Sequence, residues 1–548
     1  MKIRDYRLED SHIIIVEYIL IFGFCLFPMF MTFPYRINIF LSWEGAYRLY
    51  LGQIPYRDFG IPMGFGYWII PAIFFKILGP SLITLVKAQA FINILSAFSF
   101  RSILRTLGVC PPVRALSILL FLISFSFVNF WPWYNHTVIV FELIGIAFVL
   151  KYIFRATQAK WPNLYLVLAA FFLFMSIFTK QDAGAFAFLI GLLLVVCNAV
   201  YEKKIKSVLW FLAFYILIAA AIIVPFIPYN IGYWINYGQP PHYDRLSFYD
   251  IFDIFFGKSE WIKFYLMIIV LILMYRFQDF KSTIQNKKLI IFSLLATGIL
   301  VEAAVFQVTS YVPEYNNIFF HSFSIAYIFS FSGLTEKINF KKCIPLSVTG
   351  VLILLWWSSR TWQYTNRIIG KYFPHSEAVD TSEVSLHTFI REEPGRTWNK
   401  SLTPYRSQWK FAPWTPFKKI SMPVATIHGI NKILEMPIIA EHAKPLKVLN
   451  MTELTPLAAV IGFTPEIGAD IPMWYHKNVA MYEKEIKAYD KKIKDNYYDL
   501  VLFEYIPILN NFYPFEIRDN LNQYYQRVNT FPAPRSADYG IIEVYVKK

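Results

Sequence analysis

The stretch FLSWEGAYRLYLGQIPYRDFGIPMGFGYW, residues 40–68, follows the first apolar segment and sets Glu44, Arg48, Arg57 and Asp58 among aromatics and glycines. The apolar residues that end it, 65–78, decide the topology, because a crossing there would invert every later loop. That run is short, begins among glycines and contains Pro71, whereas a spanning helix needs about 20 apolar residues. Charge gives the same answer. If 65–78 does not cross, the clusters Lys2/Arg4/Arg7, Arg101/Arg105/Arg114, Lys151/Arg155/Lys160, Lys203/Lys204/Lys206, Arg276/Lys281/Lys287/Lys288 and Lys337/Lys341/Lys342 share one side. The intervening loops 131–137, 179–184 and 310–317 hold a single basic residue, Lys180. By the positive-inside rule the first set is cytoplasmic, and 65–78 is expected as an interfacial or re-entrant helix on the outer side.

Working outward, the chain has 548 residues, 56% hydrophobic and 16% charged, against about 25% charged in soluble proteins. Runs long enough to span fall near 13–33, 82–101, 113–130, 136–154, 163–179, 183–201, 206–228, 263–277, 288–309, 318–334 and 343–358, so about eleven transmembrane helices are expected. The first is expected to be a retained helix, since no small-residue cleavage site follows it. The net charge of +15 comes from short basic clusters between apolar runs, which serves membrane orientation and argues against nucleic acid as a partner. Cys25, Cys110, Cys197 and Cys343 lie in or beside apolar segments without zinc or disulfide spacing. No Walker A pattern occurs, which argues against an ATP-driven motor.

The expected organisation is a membrane domain over 1–358, with the first external loop and its juxtamembrane helices at 34–81, and an external α/β domain over 359–548. In the latter, KVLNM and DLVLFEY read as buried strands and 481–496 as a charged amphipathic helix. QRVNTF and IIEVYVKK read as an edge hairpin.

Polar residues collect on the expected outer side. Glu44 and Asp58 could each act as a general base beside a substrate hydroxyl, while Arg48, Arg57, Lys87 and Lys180 could hold a phosphate. Asp182 lies beside Lys180, and His242 stands with Asp244 in the aromatic loop 229–261. Each has a plainer alternative. Arg57 and Asp58 could pair to fix the loop, Lys87 could snorkel to headgroups, and Lys180 suits a helix C-terminus. Glu142 and Glu302 fall inside spans, where an ionisable group is a functional candidate by default. His136 and His321, near outer helix ends, read more as structural than as catalytic.

The segment EGAYRLYLGQIPYRDFGIPMGFGYWIIPAIFFKILG resembles the first external loop of GT-C integral membrane glycosyltransferases. This is the dolichyl-phosphate-mannose-protein mannosyltransferase-like and aminoarabinose transferase-like group. FTKQDAG resembles a second recurrent segment of that group, and the many-span body with a C-terminal external domain matches its layout. The resemblance implies a GT-C-like fold and a sugar donor carried on a polyprenyl phosphate. It also implies transfer to a lipid, glycan or protein acceptor on the external face. Glu44 falls on the Glu of the acidic start, Asp58 on the Asp of the YRDF turn, and Lys180 and Asp182 on the second segment. Where many members carry an aspartate before the glutamate, this chain has Trp43. That leaves Glu44 or Asp58 as the catalytic base, or a divergent or inactive member. Arg48, Arg57, Lys87, Lys180, Asp182 and His242 are the expected substrate-binding residues. A divalent metal is compatible with this chemistry, with no ligand set assigned. Two other classes stay open: a transporter or flippase of lipid-linked sugars, which would be expected to show internal repeats, and a non-catalytic envelope scaffold. The expected home is a bacterial inner membrane, with the N-terminus cytoplasmic and the C-terminal domain periplasmic.

Overall fold

The computed structural model describes residues 7–35, 39–126, 129–235, 248–310, 319–358, 362, 409–440, 445–473, 481–505, 514–534 and 540–548. Among the described residues helices dominate the first part of the chain, and two small sheets are built mainly from its last part, with one strand at Phe33–Pro34. Among the described residues, seven helices are long and apolar enough to cross a membrane: Asp10–Phe30, Leu82–Thr106, Tyr134–Gln158, Pro162–Thr179, Gln181–Glu202, Lys206–Phe226 and Lys287–Val308. The other four expected spans fall on shorter helices, Pro111–Ser126, Glu260–Arg276, Phe319–Phe331 and Cys343–Trp356. The awkward run is a helix of 13 residues, Gly66–Leu78.

The chain forms two compact units. The first comprises Met1–Pro28, Gln89–Pro225 and Pro241–Lys371. Within it, Pro162–Thr179 packs on Tyr134–Arg155, Gln181–Glu202 and Lys206–Ile223, and Lys287–Ser310 packs on Gln181–Glu202. An unexpected charge cluster lies inside. Glu17, fully buried on the first helix, accepts from Arg101 Nε and Arg114 Nε, both at 2.7 Å. Burying three charges is tolerable only when each is paired and hydrogen-bonded.

The second unit comprises Met29–Ala88, Phe226–Pro240 and Tyr372–Lys548. The loop 34–81 therefore groups with the C-terminal residues and not with the helix bundle. Two sheets organise it. In the smaller, β1 (Phe33–Pro34) runs parallel to β3 (Ile420–Pro423), which pairs antiparallel with β2 (Trp409–Phe411). The larger has the order β4-β5-β7-β6, with β4 at Val448–Met451, β5 at Leu500–Tyr505, β6 at Tyr525–Pro532 and β7 at Ile541–Lys547. Strand β4 is parallel to β5, and β5–β7 and β7–β6 are antiparallel. The expected strands and the edge hairpin are present.

The expected amphipathic helix is Tyr482–Lys494, whose Tyr489 and Ile493 join Val501, Phe503 and Tyr545 in one apolar core. Acids in its first turn and lysines in its last suit the helix dipole.

Candidate functional site

The site begins with the helix Ile39–Tyr50, which places Glu44 and Arg48 four residues apart and so on one face. Glu44 Oε1 accepts from Arg48 Nε at 2.8 Å and lies 2.7 Å from Nη2. Arg48 Nη1 also donates to Gln53 Oε1 at 3.0 Å and to the Glu466 carbonyl at 2.8 Å. Its guanidinium stands over the Phe59 ring, 5.1 Å from the centroid. Glu44 Oε2 has no hydrogen-bond partner among the described residues. Glu44 and Arg48 line a small cleft of about 30 Å³, with Asn450, Thr455, Phe463 and Glu466 among its other walls. Burial raises the Glu44 carboxyl above the usual glutamate value, an effect partly offset by the Arg48 charge. The result is a carboxylate at the wall of the cleft with Oε1 tied to Arg48.

The approach of neighbouring elements explains Gly45. A Cβ there would meet Trp68 Cε2 at 1.9 Å, so any other residue would drive the helix Gly66–Leu78 away from Glu44. Trp43, at the position where the resembling family carries an acid, is fully buried. It stacks on Tyr47 with centroids 4.4 Å apart and donates to the Pro80 carbonyl at 3.3 Å.

The PYRDF segment forms a tight turn. Tyr56 adopts φ 65° and is fully buried, a left-handed conformation costing about 1–2 kcal/mol in a residue other than glycine. Its N–H donates to the Phe59 carbonyl at 2.7 Å. Asp58 closes the turn: Oδ2 accepts from the Ile54 N–H at 2.7 Å, and Arg57 donates to Oδ1 at 2.9 Å and to Oδ2 at 2.7 Å. The Arg57 bonds hold the Asp58 carboxyl below the usual aspartate value. The turn is stitched to the C-terminal residues through Gly468 N–H to the Asp58 carbonyl at 2.8 Å and Gly60 N–H to the Ile471 carbonyl at 2.8 Å.

In the other unit, Lys180 sits in extended conformation between the helices Pro162–Thr179 and Gln181–Glu202. Its ammonium binds both carboxylate oxygens of Asp182 and lies 4.7 Å from the centroid of the Phe306 ring. Glu142 and Glu302, fully buried on neighbouring spans, face one another within interaction range. Among the described residues, none of their four oxygens has a partner within ordinary hydrogen-bond geometry. The charges of Lys180 and Asp182 reach Glu302. His136 is stacked on Phe125 with centroids 4.4 Å apart and contacts Gln89 Nε2 through Nδ1 at 3.2 Å. Lys87 is half-buried on Leu82–Thr106. His242 and Asp244 lie outside the described residues.

The structure thus brings Glu44 together with Arg48, Asp58 with Arg57, and Lys180 with Asp182. Sequence reasoning did not find the residues that wall the cleft, Asn450, Thr455 and Glu466. They stand some four hundred positions beyond Glu44, and nothing in their local pattern marks them. Glu17 carried a usable signal, a lone acid inside the first apolar run. Among the described residues, no group of three or more His, Cys, Asp or Glu side chains is placed to hold a metal ion.

No protein-family model matches the chain, and no curated protein does. Solved structures do match. The crystal structure of ArnT from Cupriavidus metallidurans bound to undecaprenyl phosphate superposes with a TM-score of 0.50 at 11% identity, covering 97% of each chain. This chain has the ArnT fold. The apo form of the same ArnT matches equally, at TM-score 0.50 and 11% identity, over 97% of this chain and 98% of that one. ArnT thus bears out the GT-C-like architecture of membrane helices followed by a small α/β domain. At this identity the likeness to ArnT speaks for fold and not for activity.

Proposed function

We propose that this protein is a membrane glycosyltransferase that moves a sugar from a polyprenyl-phosphate donor to an envelope acceptor. Transfer takes place on the external face of a bacterial inner membrane, with the N-terminus cytoplasmic and the C-terminal domain periplasmic. The observation that carries this reading is Glu44, whose Oε1 is held by Arg48 and which lines a small cleft. The fold shared with ArnT, which was crystallised with undecaprenyl phosphate, supports a polyprenyl phosphate as the lipid ligand.

Glu44 Oε2 accepts the proton of the acceptor hydroxyl. The hydroxyl oxygen attacks the anomeric carbon as the bond to the lipid phosphate breaks, and the phosphate leaves with the bonding electron pair. A raised carboxyl is the better base for this task than Asp58, whose pairing with Arg57 lowers its basicity. Asp58 instead shapes the turn that carries it. Arg57, whose side chain is 43% exposed, is assigned to the departing phosphate, and Lys87, Lys180, Asp182 and His242 to binding of the donor. A divalent metal would add Lewis-acid stabilisation of the phosphate.

A second reading, a non-catalytic scaffold, is favoured by Trp43, whose burial replaces an acid with packing. One experiment separates them. Purified protein in lipid is given a panel of polyprenyl-phosphate sugars and an extract of envelope acceptors, and wild type is compared with Glu44→Gln and Asp58→Asn. Turnover by wild type that disappears in folded Glu44→Gln supports the transferase and its base. Turnover that survives in Glu44→Gln removes that base, and a donor that binds without being consumed by wild type leaves the scaffold or carrier.

A further inference from the structure

One charge cluster inside the helix bundle does not cancel. Glu17 on Asp10–Phe30 is met by Arg101 on Leu82–Thr106 and by Arg114 on Pro111–Ser126, one negative charge against two positive ones. Both arginine side chains are more than nine-tenths withdrawn from solvent, at 9% and 6% exposed. Asp10, on the same helix as Glu17, is committed to Lys341 at 2.7 Å. A surplus positive charge so placed is costly unless an anion answers it.

The two arginines also have unused donors. A guanidinium carries five N–H groups. Arg101 uses Nε on Glu17, while Arg114 uses Nε on Glu17 and one Nη1 hydrogen on the Val109 carbonyl at 3.5 Å, which leaves four donors on Arg101 and three on Arg114. Among the described residues, none of their nitrogens is both sealed from the surface and without a partner. The unused N–H edges therefore open outward, through the small exposed remainder of each side chain.

Tyr18 marks what lies outside. It is 39% exposed, and its ring centroid lies 4.9 Å from Arg101 Cζ. Ile15, Ile19 and Phe22 of the same helix are exposed as well, the apolar surface that a spanning helix presents to lipid. Arg101 stands five residues before its helix ends at Thr106, about 7 Å along the axis, and Arg114 three residues into the helix that starts at Pro111. Near helix ends, with a tyrosine at the rim, the pair sits at headgroup depth.

We propose that Arg101 and Arg114 form a binding site for the phosphate of an anionic phospholipid headgroup, in the leaflet on the side of the 107–110 turn. The phosphate oxygens accept from the unused Nη groups, and the lipid's charge cancels the surplus beside Glu17. Arginine suits this task because its planar fork matches phosphate and is weakly hydrated, and basic pockets between membrane helices hold such headgroups. A zwitterionic lipid brings the same phosphate together with a cation, so the surplus persists. The site holds whether or not the protein transfers a sugar.

The test uses the full-length protein, delipidated in a neutral detergent and titrated with phosphatidylglycerol or phosphatidylcholine, with the affinity of the first lipid bound read by native mass spectrometry. Phosphatidylglycerol should bind at least about fivefold more tightly, the scale of one basic residue at an anionic surface. Arg101→Met leaves Glu17 paired with Arg114 and removes the surplus, so the preference should fall below about twofold. Lys204→Gln, which removes an exposed lysine on another helix hairpin, should keep it. Should Arg101→Met fail to fold, Arg101→Lys keeps the charge without the fork and should weaken phosphatidylglycerol alone, by about threefold. Equal binding of the two lipids by wild type overturns the proposal. So does a preference that survives in the Arg101 variant, or one lost as fully in Lys204→Gln, which makes the attraction diffuse. Displacement of the lipid by an equal concentration of inorganic phosphate makes the occupant a soluble anion and overturns the lipid assignment.

Discussion

Two nitrogens of Arg48, Nε and Nη2, converge on the same oxygen of Glu44, and Oε2 has no hydrogen-bond partner among the described residues. That asymmetry distinguishes a base from a structural ion pair, and it makes the two acids of the first loop behave differently. Glu44→Gln keeps the shape and removes the proton acceptor, so turnover is expected to fall by at least about 100-fold with donor binding little changed, and the buried Arg48 left without its counter-charge lowers the melting temperature as well. Asp58→Asn removes a turn clamp and should act mainly on stability, by about 1–2 kcal/mol. Paired turnover and thermal-unfolding measurements check this. A variant pair with the two effects exchanged would give Asp58 the role assigned to Glu44.

The pH dependence of kcat/KM follows from the same pair. A general base works when ionised, so the rate rises with pH through the pKa of Glu44 in the free enzyme. Burial has raised that pKa and Arg48 partly lowers it, so the acidic limb should lie above the usual glutamate range. Arg48→Met removes the lowering influence and should move the limb to higher pH. A limb that stays in place in the Arg48 variant would mean that another group titrates in that step.

The local part of this site was legible in the sequence. EGAYR sets an acid and a base four apart on a helix, PYRDF has turn composition, and Lys180 and Asp182 are near neighbours. The strands KVLNM and DLVLFEY showed the apolar runs that β4 and β5 bury. Long-range partnership was not legible. Arg101 and Arg114 read as loop charges marking a cytoplasmic side, yet both reach Glu17 from positions 84 and 97 residues away. Asn450 and Thr455 carry no local mark of the cleft, because only tertiary folding brings them to Glu44.

Tyr233 donates its hydroxyl to Glu485 Oε1, and this buried acid has no partner for Oε2 among the described residues. Burial pushes the Glu485 carboxyl up to about 8, and the nearby Asp470 charge adds to the rise. The folded pKa exceeds the unfolded one, so the stabilisation is fully present below the unfolded value of about 4.3 and is lost as pH rises through about 8. Thermal unfolding should therefore occur at lower temperature at pH 9 than at pH 6. Glu485→Gln, which keeps a neutral group against Tyr233, should lessen that difference. An identical pH dependence in wild type and variant would show that Glu485 is already ionised across this range.

Glu17 binds Arg101 and Arg114 at 2.7 Å each, with both arginines less than a tenth exposed. Removing the shared acid alone leaves two buried guanidinium groups repelling one another. Glu17→Gln is therefore expected to cost about 3–5 kcal/mol. Replacing all three residues by leucine removes the charges together with their desolvation penalty, so the triple variant should be more stable than Glu17→Gln although it changes more side chains. Thermal unfolding of the two variants in lipid compares them directly. If the triple variant melts lower than the single one, the triad contributes more through its mutual geometry than its burial costs, and the ordering argued here is reversed.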